Sequence, residues 1–137
     1  MEYKMLNWHR FGDERGSLVA LEGGSDIPFA IKRVFYICNA GRPGDFSWSC
    51  ADSKASAVLL MLKGSCNVSI NDGVNTAEIK LDTPEQGLFL PPLIWKEVRN
   101  LSEDAVLAVI YNRHYKAGEI IDNFEEYLKS VVNATAA

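Results

Sequence analysis

The chain is poor in histidine, has no paired cysteine spacing and carries no excess of basic charge. Its 137 residues contain 14 Lys and Arg against 18 Asp and Glu, a formal net charge of −4. That balance excludes the electrostatic footprint of a nucleic-acid-binding domain. No apolar run approaches membrane-spanning length, and residues 1–10 hold no apolar core of a signal peptide. No membrane contact and a cytoplasmic location are therefore expected. Three cysteines, Cys38, Cys50 and Cys66, are an odd number, which predicts reduced thiols and not a disulfide framework. The two histidines, His9 and His114, stand far apart. Repeats and low-complexity stretches are absent, so a single domain over 1–137 is expected.

What is present is a series of short strand signals. Residues 17–21 form an apolar run after the turn-like stretch 12–16. Residues 31–38 alternate basic with β-branched and aromatic side chains, as a half-buried strand does. Residues 39–45 read as a loop. Residues 57–62 are continuously apolar, the pattern of a buried strand. Residues 65–70 and 76–81 flank Asn71-Asp72-Gly73, a strong hairpin signal. Further strands are predicted over 87–90, from Val98 onward and over 105–111. The pattern predicts an all-β sandwich or barrel. Residues 119–132 switch to helical spacing, with Ile120, Ile121, Phe124, Tyr127, Leu128 and Val131 on one side. A C-terminal α-helix followed by a frayed tail over 133–137 is predicted.

Two stretches share fixed frames. Gly44 and Gly64 bracket positions 50, 52 and 57, while Pro91, Leu93, Lys96 and Asn100 follow a second spacing. These resemble the two motifs of the cupins, Gly-x5-His-x-His-x4-Glu-x6-Gly and Pro-x-Gly-x-x-His-x-x-x-Asn. Here Cys50, Asp52, Ala57 and Lys96 occupy the four ligand positions, and Leu93 stands where the motif has Gly. Ala57 cannot ligate, and Lys96 would set a positive charge beside any cation, so no metal is expected.

Nearly the whole chain resembles the cupin-type dTDP-4-keto-6-deoxyglucose 3,4-ketoisomerases, the WxcM-like sugar ketoisomerases. The resemblance rests on Asp13-Glu14-Arg15-Gly16-Ser17-Leu18-Val19-Ala20 and on Ile27-Pro28-Phe29-Ala30-Ile31-Lys32-Arg33-Val34-Phe35-Tyr36. Leu62-Lys63-Gly64-Ser65-Cys66, Asn71-Asp72-Gly73 and Pro91-Pro92-Leu93-Ile94-Trp95 follow in the same order. It implies a cupin double-stranded β-helix, or jelly roll, and a homodimer that exchanges N-terminal strands. It also implies a dTDP-sugar in the barrel mouth and neither metal nor cofactor. The family's His-Ala-His segment corresponds to Cys50-Ala51-Asp52, or alternatively to Ser47-Trp48-Ser49. Its Trp-His-Glu segment corresponds to Trp95-Lys96-Glu97.

Moving a keto group between adjacent carbons needs a base beside the carbonyl and an acid for the enediol. Asp52 is the candidate base, Lys96 the candidate donor, Cys50 a thiolate if Lys96 is near, and Tyr36 a proton-sharing hydroxyl. Arg15 and Arg33 are candidate phosphate ligands and Trp95 a stacking surface, with Trp48 also near the presumed mouth. Arg33 and Tyr36 lie three apart on one strand, so without a bulge they face opposite sides. With both family histidines replaced, two readings stand: an isomerase with an atypical acid–base set, or an inactive nucleotide-sugar-binding paralogue or partner subunit.

Overall fold

The computed structural model describes residues 1–40 and 46–136, with side chains described to residue 134. The predicted loop over 39–45 therefore lies mostly outside the described residues, as do Gly44 and Ala137. Among the described residues there are twelve strands: β1 Lys4–Asn7, β2 Phe11–Asp13, β3 Gly16–Leu18, β4 Arg33–Cys38, β5 Trp48–Asp52 and β6 Ala57–Lys63. They continue as β7 Cys66–Asn71, β8 Thr76–Leu81, β9 Gln86–Leu90, β10 Trp95–Arg99, β11 Val106–Tyr111 and β12 Ile120–Ile121. One α-helix, α1, spans Phe124–Ala136.

The strands form two five-stranded antiparallel sheets, β1-β9-β6-β11-β4 and β12-β5-β10-β7-β8, with β2 and β3 as a separate hairpin. This is the expected jelly roll. Between the sheets lie Leu59, Met61, Val68, Ile70, Leu88, Leu90, Leu107 and Val109, all essentially inaccessible.

The continuous apolar run of β6 follows from cover on both faces. Ala57, Leu59 and Met61 point into the sandwich. Val58 and Leu60 point outward and pack under Trp8 and Ile27, with Val19, Leu21 and Phe29 around them. A strand covered twice has no need of polar alternation. Gly87 makes room for that outer layer, because a Cβ there would meet the Trp8 ring at 2.3 Å. Gly64 turns β6 into β7 with φ +78, and a Cβ there would meet the Ser102 Oγ at 2.2 Å.

The helix begins later than its periodicity predicts. Ile120 and Ile121 pair with Asp52 and Ala51 of β5 as an edge strand. Branched isoleucines satisfy that edge, and the helix starts only where Asn123 caps it. The Asn123 Oδ1 accepts from the Glu126 N–H at 3.1 Å. The helix also runs on through 133–136, where a frayed tail was expected.

Candidate functional site

Four strand ends meet at one end of the sandwich. β5 finishes at Asp52, β10 starts at Trp95-Lys96, β11 finishes at Tyr111 and β4 starts at Arg33. Pairing holds them in register: Lys96 faces Cys50, and Tyr111 lies between Arg33 and Ala57. Strand alternation sends Trp48, Cys50 and Asp52 inward from β5, and Ser49 and Ala51 outward.

Lys96 donates from Nζ to Asp52 Oδ2 at 2.7 Å. Both are buried, Lys96 to 2% exposure and Asp52 to 6%. The Lys96 ammonium also lies 5.5 Å from the Trp48 ring centroid. Removing two charges from water costs several kcal/mol per ion, on the order of what their attraction returns, so each needs the other.

Tyr111 is the third member. Burial above all, then the neighbouring Asp52 carboxylate, raises its phenol well above the usual range, and Arg33 offsets this only in part. The hydroxyl is therefore a neutral donor through the physiological range. Its ring stacks on Phe35 at 5.8 Å, and Phe35 meets Trp48 edge-on at 5.4 Å. The Arg33 guanidinium sits against three rings, 5.0 Å from Phe35, 5.2 Å from Tyr111 and 4.9 Å from Tyr115. Among the described residues it forms no ion pair with a carboxylate.

A void of about 20 Å³ separates Asp52, Arg33 and Tyr111 from a covering segment, residues 113–120. It has room for one water. The cover is braced within itself by one ion pair and tied to the fold at two points. Arg113 makes a two-pronged pair with Glu119, at 3.1 and 2.9 Å. The Ser53 N–H and hydroxyl donate to the Glu119 carbonyl at 2.8 and 2.9 Å. The Ser56 N–H donates to Asn112 Oδ1 at 2.9 Å. The Arg113 guanidinium holds the Glu119 carboxyl below the usual carboxylate range.

Several expectations change. Cys50 lies beside Lys96 as supposed, but burial raises its thiol and outweighs the pull of the ammonium. It is a thiol and not a thiolate. Tyr36 faces outward and is 66% exposed, because β4 pairs with β11 in unbroken register and no bulge turns it inward. Trp95 faces the opposite side of β10 from Lys96. It packs with Ala51 and Tyr127 under α1, with the Tyr127 ring at 5.7 Å and the Phe124 ring at 5.3 Å. Arg15 projects from the β2–β3 hairpin, 88% exposed at its side chain, and pairs with Asp13 at 2.7 Å. Of the predicted residues, the structure thus gathers Arg33, Cys50, Asp52 and Lys96. It adds Tyr111, whose signal was its position two residues beyond the inward Leu107 and Val109. Among the described residues, no three His, Cys, Asp or Glu side chains converge as metal ligands do.

Residues 1–132 match the family described as FdtA, WxcM-like, C-terminal. The chain belongs to this family. A TDP-4-oxo-6-deoxy-alpha-D-glucose-3,4-oxoisomerase from Aneurinibacillus thermoaerophilus is 40% identical over 136 residues, 96% of each chain. A solved 3,4-ketoisomerase from Helicobacter canadensis superposes with a TM-score of 0.91 at 41% identity, covering 96% of this chain and 98% of its own. A mutant 3,4-ketoisomerase from Thermoanaerobacterium thermosaccharolyticum, solved with TDP-4-keto-6-deoxyglucose, gives 0.90 at 29% identity over 96% and 94% of the two chains. This WxcM-like chain therefore shares a whole fold with its relatives and not merely a motif. No helix among the described residues is long and apolar enough to cross a membrane.

Proposed function

We propose that the chain is a nucleotide-sugar 3,4-ketoisomerase of deoxysugar biosynthesis, acting as one domain over 1–137 on a TDP-4-keto-6-deoxyhexose. The observation that carries this is the buried Lys96–Asp52 pair on the inner strand faces of a family whose relatives are ketoisomerases. Asp52 takes the proton from C3 of the sugar. The C4 carbonyl oxygen gains a proton from Lys96 or Tyr111 as the enediol forms. The C3 hydroxyl then gives up its proton and C4 gains one, which leaves the ketone at C3. Atoms balance without an external oxidant or reductant. Because the pair is closed off, the sugar reaches it only when the 113–120 cover moves aside.

The family likeness also supports a cytoplasmic homodimer. The free edge of β4 exposes Val34 and Tyr36, and the β2–β3 hairpin exposes Phe11 and Leu18. These are surfaces that strand exchange between two copies would cover.

The deciding experiment is incubation with TDP-4-keto-6-deoxyglucose, followed by NMR, with a working relative as control. The 3-keto product is expected, and Asp52→Asn is expected to abolish it. Absence of product at high protein concentration overturns the proposal and leaves a binding protein.

A further inference from the structure

The C-terminal helix reaches the buried ion pair through one hydroxyl. Tyr127 lies in the first turn of α1, and its side chain is wholly inaccessible. Its ring packs with Ala51 and with the rings of Trp95 and Phe124, on the sheet face opposite Lys96. Its hydroxyl lies 2.8 Å from the Leu93 carbonyl and 2.9 Å from the Asn71 carbonyl, so one proton is shared between two acceptors. Burial raises the phenol, and the backbone N–H of Trp95 offsets this only in part. The hydroxyl is therefore a neutral donor.

Leu93 carries the contact onward. Its carbonyl accepts from Tyr127, and its N–H donates to the Asp52 carbonyl at 2.8 Å. Leu93 has left-handed backbone, which persists only where the surroundings hold it. The Tyr127 hydroxyl supplies that hold. Lys96 follows three residues later, at the start of β10. Both partners of the ion pair thus project from backbone tied to Leu93, Asp52 by a hydrogen bond and Lys96 along the chain. On its other side Asp52 pairs with Ile120 of β12, the strand that leads into the same helix. The main chain of Asp52 is therefore flanked on both sides by segments that α1 fixes.

We propose that Tyr127 is a positioning residue for the Asp52–Lys96 pair, acting through Leu93 from the far face of the sheet. Its effect on turnover rests on the function proposed above; its hold on the pair rests on the hydrogen bonds. Tyr127 touches neither side chain of the pair, so its loss displaces reacting groups and leaves their chemistry unchanged. Small displacements of reacting groups cost rate steeply.

Tyr127→Phe keeps the ring and removes only the hydroxyl. Phe124→Leu is the control, since it loosens the same helix contact and leaves the hydroxyl in place. With TDP-4-keto-6-deoxyglucose, Tyr127→Phe is expected to lose roughly tenfold to a hundredfold in kcat with KM within about twofold. Phe124→Leu is expected to lose thermal stability and keep kcat. NMR of the same proteins without substrate reads the Leu93 amide and the Lys96 ammonium. In Tyr127→Phe the Leu93 amide is expected to exchange with solvent about tenfold faster or more, and the Lys96 signal to shift. A native kcat or a native Lys96 signal in Tyr127→Phe overturns the proposal, as do equal kcat losses in the two variants. A native chain without turnover rejects the isomerase alone, and the Lys96 signal then decides the hold by itself. Should Tyr127→Phe not fold, the native Leu93 amide decides. Protection equal to that of the β10 amides upholds the relay, and exchange at the unprotected rate overturns it.

Discussion

The backbone N–H of Leu93 donates to the Asp52 carbonyl at 2.8 Å, tying a left-handed leucine to the strand that carries the buried carboxylate. Leu93 has φ +63, and Asn100, seven residues on, has φ +56. The second cupin frame places Gly and Asn at these positions, and both suit left-handed backbone. Leucine there is strained by about 1–2 kcal/mol. Leu93→Gly is expected to be neutral or mildly stabilising, whereas Leu93→Val, branched at Cβ, is expected to destabilise. Urea midpoints check the order, and a glycine variant less stable than the valine variant contradicts it.

Breaking the buried ion pair from one side is expected to be costly. Lys96→Met leaves Asp52 buried without a counter-charge, at about 3–5 kcal/mol. The double variant Lys96→Met with Asp52→Leu is expected to recover most of that loss. Chemical denaturation of the two single variants and the double variant measures it. Additive losses would show that the two side chains are not energetically coupled.

Alkaline pH is expected to loosen the fold. Burial pushes the Cys66 thiol from 9.0 to about 11, and it also raises Cys50 and Tyr111. In each case the fold keeps the neutral, protonated form, so the unfolded chain releases its proton first. The Cys66 contribution is complete below the ordinary thiol value of 9.0 and is lost as pH rises through about 11, and Cys50 and Tyr111 act in the same direction. Melting temperatures should fall across that window, and Cys66→Ala should flatten part of the slope. A native profile that stays level there removes the effect.

The cover over Asp52 should be releasable without unfolding the protein. Glu119→Gln removes the charge that holds Arg113, a pair at the surface that contributes little to stability. The melting temperature should barely change. Alkylation of the buried Cys50 thiol is expected to quicken several-fold, because that thiol neighbours Asp52 and Tyr111, which line the void beneath the cover. Cys38 is exposed and serves as the internal reference. Equal Cys50 rates in both proteins would mean that access runs by another route.

Most of the sandwich strands were legible because apolar alternation and turn residues carry them, whereas β1 and β2 carried no such signal. The double cover on β6 showed as an unbroken apolar run, and the opposed faces of Arg33 and Tyr36 followed from strand parity. Parity also separates Trp95 from Lys96, yet resemblance suggested a common mouth for both. Parity with Leu107 and Val109 turns Tyr111 inward, but nothing in the sequence separates this member of the candidate site from core. Helical spacing over Ile120 and Ile121 concealed an edge strand, since a pair of branched residues fits either period. The void, the latch and the aromatic cage of Arg33 arise between elements distant in sequence, so no local pattern could reveal them.

The partnership of Asp52 with Lys96 also bears on how such a chain can change over time. Each charge is tolerable in the interior only while the other is present, so a drift at one position exposes the lineage to an unstable intermediate. Positions 52 and 96 are thereby bound to a shared history, open to replacement together and resistant to replacement singly.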